Sequence, residues 1–306
     1  MGSEIKKFYY RVYGLNIESE ICIPEFTVIK DPSKKNIDAT IKYKNVSKEI
    51  KESIRNGKRN NFTYNEMWFN VDNLAIYNIH DGDKVEIELY ENSDPYMVNM
   101  YILGTVLGLV LLQKNMIAIH GGAIVINNKG CVFTGGKGAG KSTLTTALRQ
   151  RGYGFIADDV ASINLDKDAK IHPGFGYQKI CEDAMDKLGY NPIDFVPFDA
   201  GEHIKYIVPA LDKFIDYEVD FKALFEITVD DIDVVKIEEL SGGKKLDNII
   251  KNIFSIEVLG NAGGIPPVIF KKCIDIARNI RCYRITRPRD KFTIDDQVNL
   301  IEEVLA

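Results

Sequence analysis

The stretch Gly135-Gly136-Lys137-Gly138-Ala139-Gly140-Lys141-Ser142-Thr143 constrains this chain more than any other. It carries the spacing G-x-x-x-x-G-K-[S/T] in full. Cys131-Val132-Phe133-Thr134 ahead of it reads as a short buried strand. Leu144 to Arg151 behind it reads as a helix with Leu144, Ala147 and Leu148 on one face. Strand, glycine loop and helix in that order aim consecutive backbone N–H groups at a point before the helix N-terminus, where the helix dipole favours negative charge. The whole run from Gly135 to Thr143 is therefore a candidate phosphate cradle. Lys141 would reach the outer phosphates, and the Ser142 hydroxyl would hold Mg²⁺.

Composition removes several classes. The 306 residues suffice for one large α/β domain and a smaller one. A formal charge of -5 offers no general attraction to nucleic acid or to an anionic membrane, so neither is expected as a partner. Met1 to Arg11 lacks a signal-type apolar core. The most apolar run, Tyr101 to Leu112, falls short of the roughly 20 residues of a membrane span and reads as a buried core helix. Five scattered cysteines without metal-site spacing read as reduced thiols in the cytoplasm, and four dispersed histidines make no zinc site. A homo-oligomer is compatible with all of this.

Residues 1–94 read as a β-rich N-terminal domain and 95–306 as the nucleotide-binding domain. In the first, Phe8 to Tyr13 and Ala39 to Tyr43 carry strand signals, and Asp81-Gly82-Asp83 joins two alternating runs as a hairpin. Asp94-Pro95 opens the apolar helix. In the second, Asn127-Asn128-Lys129-Gly130 separates Ala123–Ile126 from Cys131–Thr134, so an antiparallel hairpin is expected to feed the glycine loop. Ile171 to Ile180 reads as a Gly/Pro-rich loop, and Ile294 to Leu305 as a helix.

Asp158 and Asp159 lie about 17 residues beyond Lys141, at the end of the next apolar strand. One carboxylate there can hold Mg²⁺ with Ser142, and the other can take a hydroxyl proton as base. Successive side chains of a strand face opposite ways, so the backbone must bend at this pair for both to serve one site. His120, ahead of Gly121-Gly122, can tune a carboxylate or accept a proton. Lys179 can meet phosphate. Arg278, Arg281, Arg284, Arg287 and Arg289 form a basic island whose spacing singles out none of them.

Together these residues resemble the HPr serine kinase/phosphorylase superfamily. The resemblance rests on His120-Gly121-Gly122, Phe133 to Thr143, Arg151-Gly152-Tyr153 and Ala157-Asp158-Asp159, in order over 120–159. It implies a P-loop kinase core like that of phosphoenolpyruvate carboxykinase. It also implies Asp159, or else Asp158, as general base on a serine hydroxyl. The neighbouring aspartate would support the metal, and His120 would assist the base. Downstream, His172-Pro173-Gly174-Phe175-Gly176-Tyr177-Gln178-Lys179-Ile180 departs from the bifunctional enzymes. It is more similar to divergent kinases of ribosomal peptide gene clusters, including lasso peptide precursor kinases, where a basic residue stands at Lys179. Tyr13-Gly14-Leu15 to Ser19 and Ile23-Pro24-Glu25 are similar to their N-terminal domain. The function so implied is ATP-dependent serine phosphorylation of a peptide or small protein. Free serine or another small hydroxyl compound as acceptor, and ATP binding without transfer, are the alternatives.

Overall fold

The computed structural model describes residues 6–199, 203–261 and 263–306. It is mixed α/β with a β-rich N-terminal region and divides into two compact units. One holds residues 1–116 with 255–269, and the other holds 117–254 with 270–306. The apolar helix thus belongs with the N-terminal strands rather than with the glycine loop, as does the short helix Ile256–Asn261.

The first unit is built on an eight-stranded sheet. Its centre runs Leu15–Ser19, Ala39–Tyr43, Lys84–Leu89, Ala75–His80 and Glu66–Val71. The expected hairpin is present: Ala75–His80 pairs antiparallel with Lys84–Leu89. Asp81 and Gly82 in its turn have φ of 56° and 72°. A helix over Lys48–Arg55 was not expected from its charged sequence; Ser47 caps it by accepting from the Ile50 N–H. The apolar helix runs from Pro95 to Gln113 with a π-helical segment over Ile102–Val106. Asp94 caps it by accepting from the Tyr96 N–H. By length and composition this 19-residue helix could cross a membrane, and 67% of its most apolar window is buried inside the structure. Its last residue bonds back to the sheet, where the Gln113 side chain donates to the Ile79 carbonyl and accepts from the Gly82 N–H.

The second unit is organised by the strand Ile117–Ile126, longer than the run Ala123–Ile126 expected from the sequence. It turns through Asn127 and Asn128, both at positive φ (50° and 59°), into Lys129–Gly135. Two consecutive left-handed residues are what a two-residue hairpin of matching twist requires. Lys129–Gly135 then pairs in parallel with Val219–Asp230, which pairs in parallel with Arg281–Pro288. The path through Val160–Asn164 and Lys170–Ile171 returns to Val219–Asp230, so the sheet closes on itself around the hairpin. Phe133, Phe225 and Tyr283 stack across three adjacent strands, with centroids 5.1 and 5.0 Å apart. They share a core with Leu144 and Leu148 of the helix Lys141–Gln150 and with Val298 and Ile301 of Ile294–Leu305. Val219–Asp230 and Lys236–Glu239 do not pair with each other; both flank Arg281–Pro288.

A smaller three-stranded sheet joins Tyr177–Cys181, Ile204–Pro209 and Pro197–Asp199. Its first strand is formed by residues that read as the end of a Gly/Pro loop, because Pro173, Gly174 and Gly176 mask the four β-compatible residues that follow.

Candidate active site

The glycine loop leaves its strand at Gly135 and enters the helix at Gly140, with φ of 141° and 104°. A Cβ on Gly135 would stand 2.3 Å from the Ile227 carbonyl oxygen, so this position admits glycine alone. Gly136, Lys137 and Gly138 are exposed at the loop tip, while Ala139 is buried. Ser142 and Thr143 stand half-buried in the first turn of the helix. The Lys141 ammonium folds back over the loop and donates to the carbonyls of Gly135 (2.9 Å) and Gly136 (3.1 Å). Burial lowers its pKa against the opposing pull of Asp159 and Asp158, whose charges it feels.

Of the five arginines of the basic island, the structure brings Arg287 to the loop. Its Nε donates to the Ala139 carbonyl at 2.8 Å and its Nη2 to the Gly138 carbonyl at 3.1 Å. Arg278, Arg281, Arg284 and Arg289 instead pair with Asp275, Glu239, Glu226 and Asp231. A cavity of about 310 Å³ opens beside this clamp, lined among others by Gly138, Gly140, Thr143, Lys187, Arg287 and Phe292.

Between the strands Gly154–Ala157 and Val160–Asn164 the backbone bends at the two aspartates, with Asp159 at φ 63°. A non-glycine residue in the left-handed region is a strained choice that the surroundings must hold. Here the Asp159 carbonyl accepts from the Gly121 N–H at 3.0 Å. A Cβ on Gly121 would lie 2.2 Å from the Phe133 carbonyl oxygen, which explains the glycine.

The bend separates the two carboxylates chemically. Asp158 is almost wholly buried and accepts from the Lys179 backbone N–H at 2.8 Å. Burial, and then the charge of Asp159, push its pKa up to about 7. Asp159 is ion-paired with the Lys179 ammonium at 3.2 Å. Burial would raise its pKa too, but the charges of Lys179, His120 and Lys205 outweigh it and hold the carboxyl below the usual range. Such a pair, one carboxyl near neutrality and one firmly ionised, is the division of labour found where two acids have separate tasks.

Lys179 is itself buried, on the strand Tyr177–Cys181. Its neighbour Gln178 ties that strand to the helix after the loop. The Arg149 Nε donates to Gln178 at 2.7 Å, and Gln178 donates to Thr145 at 3.3 Å. His120 pairs in register with Val160, one residue beyond Asp159. Its N–H donates to the Asn252 carbonyl, and its carbonyl accepts from the Thr134 hydroxyl. Its ring lies 5.8 Å from that of Phe254.

Among the described residues no group of three or more His, Cys, Asp and Glu side chains could by itself hold a metal ion. Mg²⁺ characteristically takes one or two protein carboxylates and completes its shell with phosphate oxygens and water. A hydroxyl at Ser142 and a buried carboxyl at Asp158, which forms no ion pair among the described residues, are oxygen donors of that kind.

One functional candidate escaped the sequence reading. Lys205, on the strand Ile204–Pro209, carries a charge felt by Lys141, Asp158, Asp159 and Cys181. It sits in no motif, and only the pairing of its strand with Tyr177–Cys181 brings it to the site.

No protein-family profile and no curated protein matches the chain. One solved structure that aligns with it is the HPr(Ser) kinase/phosphatase from Coxiella burnetii. That alignment is 14% identical, covers 61% of this chain and 93% of the other, and has a TM-score of 0.29. It is a weak structural similarity and carries no functional argument.

Proposed function

We propose that this chain is a Mg²⁺-dependent kinase that transfers the γ-phosphoryl group of ATP to a serine hydroxyl of a peptide or small protein. The observation that carries this reading is the meeting of two machineries. A lysine at the head of the helix after the glycine loop shares its electrostatic environment with two carboxyls of divergent acidity. The core would then be a P-loop kinase core of the phosphoenolpyruvate carboxykinase kind, working in the cytoplasm on five free thiols' reducing terms.

In this reading the backbone N–H groups of Gly136 to Thr143 hold the phosphates, and Lys141 leaves the Gly135 and Gly136 carbonyls to bind their outer oxygens. Arg287 keeps the loop in shape through the Gly138 and Ala139 carbonyls. The serine oxygen forms a bond to the γ-phosphorus as the bond to the β–γ bridging oxygen breaks. The hydroxyl proton passes to Asp159, and ADP leaves with the electrons of the broken bond. Asp159 suits the base because it stays ionised, and Lys179 holds it in place. His120 would assist it by favouring the ionised carboxyl. Ser142 and Asp158 would hold Mg²⁺, which supplies charge neutralisation on the phosphates.

The test is to incubate the protein with γ-labelled ATP, Mg²⁺ and serine-containing peptides, and to locate the label by mass analysis. Phosphoserine is the expected product. Label on free serine alone would move the acceptor to a small molecule. Bound ATP with no transfer to any hydroxyl would leave a nucleotide-binding protein and sink the kinase reading.

A further inference from the structure

Three lysines surround the aspartate pair, and two are committed. Lys141 is bonded to the Gly135 and Gly136 carbonyls and Lys179 to Asp159. Lys205 makes no side-chain hydrogen bond or ion pair among the described residues.

The register of the small sheet says where Lys205 points. In an antiparallel pair, directly opposed residues share a face, and so do residues two apart on one strand. Cys181 opposes Lys205, and Lys179 opposes Ile207, so Lys179, Cys181, Lys205 and Ile207 share one face. The other face carries Gln178, Ile180, Tyr206 and Val208, all buried. That buried face packs towards the helix after the loop through the Arg149–Gln178–Thr145 bonds. The lysine face is therefore the one turned to the aspartates, as the Lys179–Asp159 ion pair requires.

Lys205 is half-buried there, two residue pairs along from Lys179 and so on the same face. Among the described residues, the three ammonium groups of Lys141, Lys179 and Lys205 face the two carboxylates of Asp158 and Asp159, an excess of positive charge that an anion would complete. A structural lysine would be spent on a carboxylate; this one is held beside two carboxylates and paired with neither.

Building on the phosphoryl-transfer reading above, we infer that Lys205 is a second cation, besides Lys141, that binds the phosphoryl group during its transfer. Lys141 reaches that group from the donor's loop, and Lys205 reaches it from the strand beside the base. Its contribution is charge placed where negative charge spreads over the equatorial oxygens in the transition state.

The experiment needs no knowledge of the acceptor. Binding of ADP with Mg²⁺ is measured by calorimetry on the whole protein, with and without aluminium fluoride, which with ADP mimics the phosphoryl group in flight. The wild type is expected to bind the pair far more tightly than ADP alone, as transition-state mimics do. Lys205→Met should keep ADP affinity within about threefold and lose about 100-fold of the gain from aluminium fluoride. Lys205→Arg should recover most of it, and thermal melting should be unchanged in both. A Lys205→Met protein that keeps the full gain overturns the inference. So does one that loses ADP affinity and melting temperature together, since that marks a structural charge. A wild type that gains nothing from aluminium fluoride fails the phosphoryl-transfer reading itself, and Lys205's role with it.

Discussion

Both units are built on large sheets, yet they treat charge in opposite ways. In the N-terminal unit ion pairs lie on the outside of the sheet: Lys7–Glu18, Lys44–Glu86, Lys84–Asp81 and Arg59–Asp72 all keep at least one partner well exposed. In the second unit, carboxyls are taken inside. Asp158 and Glu226 are almost fully buried, and Asp159 is held at a strained backbone angle. Surface pairs cost little and contribute little, whereas a buried carboxyl costs several kcal/mol of solvation unless it is neutralised or partnered. The first unit thus leaves its charges in contact with water, and the second holds costly carboxylates inside against lysines and arginines.

The sharpest attempt to break this contrast is Asp159→Asn. It should reduce phosphoryl transfer by about 10³-fold while leaving ATP affinity within a few-fold, as read from kcat and from equilibrium binding. Retained turnover would move the base to Asp158 or remove it from this pair. Next in size, Lys141→Ala should weaken ATP binding itself by about 10- to 100-fold in a titration, through the loss of a charged phosphate contact.

A third substitution separates framework from chemistry within the second unit. Glu226 is ion-paired with Arg284 at 2.8 Å and with Lys251 at 2.5 Å, and it accepts from Asn248. Burial pushes its pKa up, but its bonds to Lys251 and Arg284 win, and the net shift is downward. A lowered carboxyl pKa stabilises the fold above the unfolded-state value of about 4.5, and this is lost as pH falls through the folded value. Glu226→Gln should therefore cost about 1–2 kcal/mol in denaturant unfolding at pH 7, discounted because Arg284 and Lys251 remain partly in water. The difference from wild type should shrink as the pH is lowered below 4. A constant difference would mean that charge is not the cause. The smallest effect belongs to the first unit: Arg59→Ala, breaking an exposed pair with Asp72, should change stability by less than about 1 kcal/mol and leave transfer untouched.

The parts of this architecture that local chemistry dictates were legible in the residues alone. The glycine loop, the Asn127–Asn128 hairpin and the Asp81-Gly82 turn each need left-handed backbone, and only certain residues supply it. For both carboxyls to serve one site, side-chain alternation requires a bend at Asp158–Asp159, and the backbone bends there. What stayed hidden depends on which distant segments become neighbours. Five arginines look alike until Arg281–Pro288 pairs with Val219–Asp230, which sets Arg287 at the loop. Lys205 is an ordinary lysine until its strand is laid against Tyr177–Cys181. The helix Lys48–Arg55 is hard to see in its charged sequence, where only Ser47 marks its start. The boundary near residue 94 was drawn at a proline, whereas the apolar helix beyond it packs with what precedes it.

The closing of the second sheet on itself has a consequence for the order of biosynthesis. The strand that carries the glycine loop is completed by Val219–Asp230, and that strand in turn by Arg281–Pro288. Its partners are made some 90 and 150 residues later, and such distant pairings are slow to form. While the chain is still being synthesised, the loop lacks both the parallel neighbour beneath Gly135 and the Arg287 clamp. A nascent chain therefore has the loop's sequence long before it has the loop's shape, and that shape is a signature of completed folding.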